Sequence, residues 1–198
     1  MGERIRSVQI TEVEQLQLIA KRTFFTTFRE SYSDEDFKQF FSDAYDIDVL
    51  RKELEQSNSF HYFYEVDQNI VGFLKLNIND AQTENKGHAY LEIQRIYFDE
   101  AFQGSGRGQL FINLAIDQAI KFGKSKIWLG VWEHNPKALS FYKNRGFRVT
   151  GSHQFYTGSV VDNDLIMELD LTTNYKQGLC LILFAFSINI RYNCSVEF

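Results

Sequence analysis

The apolar positions of this chain change period along its length, and each change marks an element. Residues 5–10 read as a short β-strand, after which Val13, Leu16, Ile19, Ala20, Phe24 and Phe28 recur at the spacing that buries one face of a helix. Thr11 with Glu14 three residues on reads as a capping box for that helix. Ser33, with Asp36 at the third position beyond it, starts a second helix carrying Phe37, Phe40 and Phe41. A third helix runs from about Asp46 through Val49, Leu50 and Leu54. Residues 60–66 and 70–78 then read as two strands joined by a turn at Asp67, Gln68 and Asn69, and residues 88–98 form a long β-prone run. Leu110, Phe111, Leu114, Ala115, Ala119 and Phe122 return to helical spacing, ended by Gly123. Residues 126–132, rich in bulky apolar side chains, read as a central buried strand. Asn135 and Pro136 suit the cap and first position of another helix, which carries Ala138, Leu139, Phe141 and Tyr142 and stops at Gly146. Residues 147–157 and 164–171 are the last two strands. The pattern as a whole is α+β, with helices around one mixed sheet.

Composition narrows the function. A chain of 198 residues, 44% hydrophobic, is long enough for one domain with a substantial core. Its single proline and lack of repeats argue against a modular design. A net charge of −5 disfavours nucleic acid as the main partner, because phosphate binding needs a basic face. Asp34, Glu35, Asp36, Asp43, Asp46 and Asp48 cluster early in the chain, as solvated helix surface or as a cation-binding feature. Both cysteines, Cys180 and Cys194, lie near the C-terminus, and the histidines at 61, 88, 134 and 153 lack ligand spacing. We therefore expect no metal site and no disulfide in the body of the fold, in a reducing cytoplasm. The N-terminus has no apolar signal core, and the apolar run 179–190 is too short for a helical membrane span. The expected domain is 1–171, with 172–198 a tail of unassigned role.

The richest chemical signal is the segment from Gln103 to Gln109, with glycines at 104, 106 and 108 between a strand and a helix. A Walker loop fails because no Lys-Ser or Lys-Thr pair follows the glycines. A dinucleotide fingerprint fails because Gln109 stands where its third glycine belongs. What fits is Q-x-x-G-x-G, through Gln103, Gly106 and Gly108. Such a loop presents backbone N–H groups at a helix N-terminus, where the dipole favours an anion. By itself it also reads as a plain glycine-rich turn.

Together with Asn135, Ala138, Phe141, Tyr142, Gly146 and Phe147 in the order N-x-x-A-x-x-F-Y-x-x-x-G-F, the segment resembles the GNAT superfamily of acetyl-CoA-dependent N-acyltransferases. The resemblance spans about residues 3–171. Residues 28–41, 91–98, 127–147, 151–158 and 164–171 are further similar to the PaiA-type polyamine N-acetyltransferases. The resemblance implies a central mixed, mostly antiparallel sheet of about seven strands, splayed between the fourth and fifth, with four to five helices. It implies that Ile96, Tyr97 and Phe98 hydrogen-bond the pantetheine arm and that Gln103, Gly104, Ser105, Gly106, Arg107, Gly108 and Gln109 hold the pyrophosphate. Asn135, Lys137, Ala138, Phe141, Tyr142 and Lys143 would complete the cofactor site.

Tyr142 is the implied acid for the leaving thiolate, although an aromatic on an apolar helix face also reads as packing. An amine acceptor must lose a proton before it attacks, and Glu92 is the first candidate base. Strict strand alternation would put it on the face of Gln94 and Ile96 unless a bulge intervenes. Glu133 is the second candidate and His134 the third. Phe28, Tyr32, Glu92, Trp132 and Glu133 would line the acceptor site, near the early acidic run. The expected reaction is direct acetyl transfer to a primary amine of spermidine or spermine, with a homodimer implied by resemblance. The alternatives are a protein or peptide N-acetyltransferase and a non-catalytic acetyl-CoA or polyamine sensor.

Overall fold

The structure, a computed structural model, describes residues 2–172. The expectations for the tail lie outside those residues. Among the described residues seven strands form one sheet in the order β1-β2-β3-β4-β5-β7-β6. They are β1 (Glu3–Ser7), β2 (Ser59–Val66), β3 (Asn69–Ile78), β4 (Tyr90–Phe98), β5 (Lys126–Trp132), β6 (Arg148–Thr157) and β7 (Val160–Asp170). Every neighbouring pair is antiparallel except β4 with β5. Among the described residues five α-helices cover the sheet: α1 (Val13–Phe28), α2 (Asp34–Ala44), α3 (Ile47–Glu55), α4 (Arg107–Lys121) and α5 (Pro136–Lys143). Among the described residues no helix is long and apolar enough to cross a membrane.

The strand period of two divides β5 between two cores. Ile127, Leu129 and Val131 face α4 and α5, in a cluster with Phe111, Ala115, Tyr142 and Phe147. Trp132 packs on the opposite face with α1 to α3, where Phe24 stacks on Phe40 at 4.3 Å and touches Tyr45 and Tyr97. The predicted helix stripe of α1, Val13 through Phe28, is buried throughout. The β2–β3 hairpin closes through Asp67 and Gln68, both at positive φ (48° and 69°), as a turn matched to the strand twist requires.

The structure corrects several boundaries. β1 ends at Ser7, and residues 10–12 form a 3₁₀ turn rather than the end of a strand. The capping box there is Gln9 with Glu12, not Thr11 with Glu14. Arg6 decides this: its guanidinium holds both Glu12 oxygens, at 2.7 and 2.8 Å, and aims that carboxylate at the Gln9 N–H. β4 starts at Tyr90, two residues later than expected, and β7 starts at Val160, four residues earlier. The second capping box is as expected, Ser33 with Asp36. Helix α5 stops at Lys143, and the chain turns through Gly146 at φ 88°.

Candidate active site

Strands β4 and β5 pair only over Tyr90–Glu92 and Lys126–Trp128, and beyond that they diverge. The opening has a definite backbone polarity. The Asp99 N–H bonds to Val71 of β3, so by antiparallel alternation Tyr97 also faces β3, while the N–H and C=O groups of Ile96 and Phe98 face the gap. A bulge adds Gln94 between Arg95, opposite Lys75, and Ile93, opposite Leu76. The expected alternation therefore breaks. Ile96 joins the α4/α5 face with Ile93 and Phe98, whereas Arg95 and Tyr97 point to the α1–α3 face.

The splay makes a cleft of about 240 Å³ that runs through the sheet. Tyr142, Ala138 and Asn135 reach it from α5, Phe28 and Tyr32 from the α1–α2 side, and Ile96, Tyr97, Trp132 and Asp164 from the strands. Asn135 accepts the Ala138 N–H at 3.0 Å, so its side-chain oxygen caps α5 while the residue lines the cleft. The Tyr142 ring is buried against Phe141 and Phe147, and burial raises its phenol well above the ordinary range. Among the described residues its hydroxyl makes no hydrogen bond.

The glycine loop opens beside α5. Gly104 and Gly106 have φ of 81° and 83°, and a Cβ at either would meet nothing within 4 Å. That leaves an open cradle in a backbone conformation that favours glycine. Gly106 is the N-cap of α4 and no side chain caps the helix; the Gln109 N–H bonds the Gly106 carbonyl at 2.9 Å, which leaves the Arg107 and Gly108 N–H groups for an anion. Gly108 is small for packing, since a Cβ there would lie 3.0 Å from the Phe141 ring. Gln103 spans the mouth, donating to the Phe98 carbonyl at 3.1 Å and accepting from Lys137 at 3.3 Å. Arg107 is committed elsewhere: its guanidinium pairs with Glu3 of β1 at 2.6 Å and also meets Ser105. Lys143 is exposed and does not line the cleft. The gap-facing groups of Ile96 and Phe98, the open cradle and the uncapped α4 terminus together fit an extended ligand with a pyrophosphate, as acetyl-CoA is.

The predicted acids part company. Glu92 is buried off the cleft, accepting from the Asn77 side chain and the Thr83 N–H at 2.9 Å each and from the Thr83 hydroxyl. Burial raises its carboxyl, and these bonds and nearby Lys75 oppose the rise. The bulge at Gln94 is why it does not share a face with Ile96. Glu133 is exposed and accepts from Asn163 at 3.0 Å, and His134 is exposed beside it. The early acidic run does not line the cleft either. Its one buried member, Asp36, is held by Ser33 and by the Ser159 N–H and hydroxyl, which pull its carboxyl down to about 2.

Two carboxylates that the pattern did not single out stand at the cleft instead. Asp162 accepts from the Tyr32 hydroxyl at 2.6 Å and from the Trp132 indole at 3.1 Å. Asp164 lines the cleft itself, and burial raises its carboxyl to about 6. In sequence Asp162 sits in the connection before the last strand, and Asp164 is the first residue of the strand read over 164–171. The one signal available was their spacing of two, which on a strand puts both on one face.

The acetyltransferase (GNAT) family profile matches residues 19–147. The chain is 36% identical over 166 residues to an uncharacterized N-acetyltransferase of Lactobacillus delbrueckii subsp. lactis, covering 83% of this chain and 96% of that one. It is 26% identical over 117 residues to a spermine/spermidine N(1)-acetyltransferase of Bacillus subtilis, covering 57% and 77%. A PaiA N-acetyltransferase from Thermoplasma acidophilum, solved in complex with coenzyme A, superposes with a TM-score of 0.72 at 24% identity, covering 86% of this chain and 99% of that one. With a family match over most of the chain and a relative this similar along nearly its whole length, the chain belongs to the GNAT family of acetyltransferases, enzymes that take their acetyl group from acetyl-CoA.

Proposed function

We propose that this enzyme acetylates a primary amine of a polyamine such as spermidine or spermine, by direct attack within a ternary complex. The observation that carries this reading is the acceptor side of the cleft. Phe28, Tyr32 and Trp132 surround the carboxylates of Asp162 and Asp164, with Glu133 just outside. A polyamine is a chain of ammonium groups joined by methylenes, so it gains from carboxylates for the charges and from aromatic faces for the rest. The resemblance to a spermine/spermidine N(1)-acetyltransferase supports the same class.

Acetyl-CoA supplies a thioester-activated acetyl group. In this reading the Ile96 N–H, facing the gap, serves as a donor for developing negative charge on the acetyl oxygen. The loop from Gln103 to Gln109, Asn135, Lys137 and Ala138 hold the rest of the cofactor. Tyr142, kept protonated by burial, gives its phenolic proton to the departing sulfur. Among the described residues no cysteine lines the cleft, which favours direct transfer over an acyl-enzyme.

The test is coenzyme A thiol release from acetyl-CoA with spermidine, a lysine peptide or an aminoglycoside. Saturable release with spermidine at the highest kcat/KM is expected, and saturation by the peptide alone would sink the polyamine reading. Tyr142→Phe should lower kcat by about 100-fold or more while acetyl-CoA affinity stays within about twofold. An unchanged kcat would remove Tyr142 from the chemistry.

A further inference from the structure

Asp164 on β7 stands opposite Trp132 of β5 and His153 of β6. Its side chain and that of His153 both lean over Gly130, where a Cβ would lie 2.8 Å from His153 Nε2 and 3.4 Å from Asp164 Oδ2. Gly130 sits in the middle of a regular strand, so its role is to leave room for these two titratable groups.

Carboxylates in protein clefts normally accept hydrogen bonds. Asp162, two residues away, has both oxygens engaged by Tyr32 and Trp132. Among the described residues the Asp164 carboxylate has no such partner, yet it lines the same cleft as Tyr142. Arg95 also lines the cleft, but its guanidinium is committed to Glu53 at 2.7 and 3.1 Å. A carboxylate held in an aromatic cleft without a hydrogen bond, its facing His153 ring engaged on the other side by Glu84, is poised for a donor from outside the chain.

We propose that Asp164 binds the ammonium of the acceptor and takes its proton, the base role that the sequence pattern suggested for Glu92. This rests on the reading of the acceptor as an amine. The step balances: the ammonium N–H bond breaks, an O–H bond forms on Asp164, and a neutral amine with a free electron pair is left beside a carboxylic acid. The groups facing Asp164 are His153 from β6, Asp162 on its own strand, Glu133 beyond β5, Tyr32 beside α2 and Tyr97 from β4. Burial raises the carboxyl to about 6; His153 opposes this, and Asp162 and Glu133 add to it. The carboxylate accepts a proton only when ionised, so kcat/KM should fall as pH drops through about 6.

The experiment measures kcat/KM from about pH 5 to about pH 9 with spermidine, a lysine peptide and n-butylamine. Wild type is compared with Asp164→Asn, Asp164→Glu and Glu92→Gln. In parallel, tryptophan fluorescence follows binding of each amine to the protein without acetyl-CoA. Expected is an acid limb in wild type, with a loss of about 100-fold and no limb in Asp164→Asn. Amine binding to that variant should also weaken, and Asp164→Glu should restore part of both rate and limb. Wild type with no acid limb, an Asp164→Asn variant that keeps rate, limb and amine binding, or a limb lost in Glu92→Gln instead would each overturn the assignment. Equal turnover of n-butylamine and spermidine would end the polyamine reading alone, because the limb is then read on whichever amine is acetylated.

Discussion

Asp164 carries a cost that can be measured apart from activity. Its folded carboxyl sits near 6, above the ordinary 3.8, so the folded state holds a proton that the unfolded chain has already lost over that interval. The sign follows: stability from this group is greatest below the ordinary value and falls as pH rises through about 6. Asp164→Asn, which removes the charge, should therefore raise thermal stability at neutral pH by on the order of 1–2 kcal/mol, after allowance for partial solvent exposure, while lowering activity. Melting curves at about pH 5 and about pH 8 check it, because the gain should shrink at the lower pH. A gain of the same size at both would mean that packing, not charge, is responsible. Tyr142 shows the opposite case of legibility. Its motif named it and the structure puts it on the cleft, whereas Asp164 opened a predicted strand with no motif to mark it.

Among the elements, the glycine loop lies beside α5, and substitutions at Gly106 and Gly108 should separate binding from chemistry. Gly106 needs a positive φ and has open space around it, so Gly106→Ala should strain the loop by roughly 1 kcal/mol and fill the cradle. A KM for acetyl-CoA raised several-fold with kcat nearly unchanged is the expected result. Gly108→Ala instead drives a Cβ toward Phe141, the neighbour of Tyr142 on α5, so kcat should fall with it. Steady-state kinetics on the two variants compares them directly, and identical profiles would contradict the distinction. The loop, its helix and the Asn135-Pro136 start of α5 were all readable in sequence, because capping and glycine chemistry are local. The bulge at Gln94 was not, because it is a mismatch between two strands rather than a property of one.

Across the whole molecule, the splay joins the two faces of the sheet, and a buried charge cluster ties α3 to β3 and β4. Glu53 of α3 holds Lys75 of β3 and Arg95 of β4, each at 2.7 Å, and all three are largely buried. Burial pushes Glu53 up, but Arg95 and Lys75 outweigh it and hold the carboxyl below its usual range. Burial, then Arg95, lowers the Lys75 ammonium to about 8. Glu53→Gln would strand two buried cations and should cost about 3–5 kcal/mol, read by denaturant unfolding. A loss below about 1 kcal/mol would show that water reaches the cluster. Because Arg95 also lines the cleft, acceptor KM should rise in the same variant.

By itself the sequence determined the elements, the α+β class and the family, since apolar period, caps and the two ordered motifs are written in residues near one another. It also named Tyr142 and the glycine loop, because both lie in short, contiguous patterns. What only the tertiary structure decided was which carboxylate meets the cleft. That depends on the bulge in β4, on Gly130 leaving room beside His153, and on β7 crossing from a far part of the chain to lie against β5. These are relations between strands distant in sequence, and a strand's own residues do not encode the register of its neighbour.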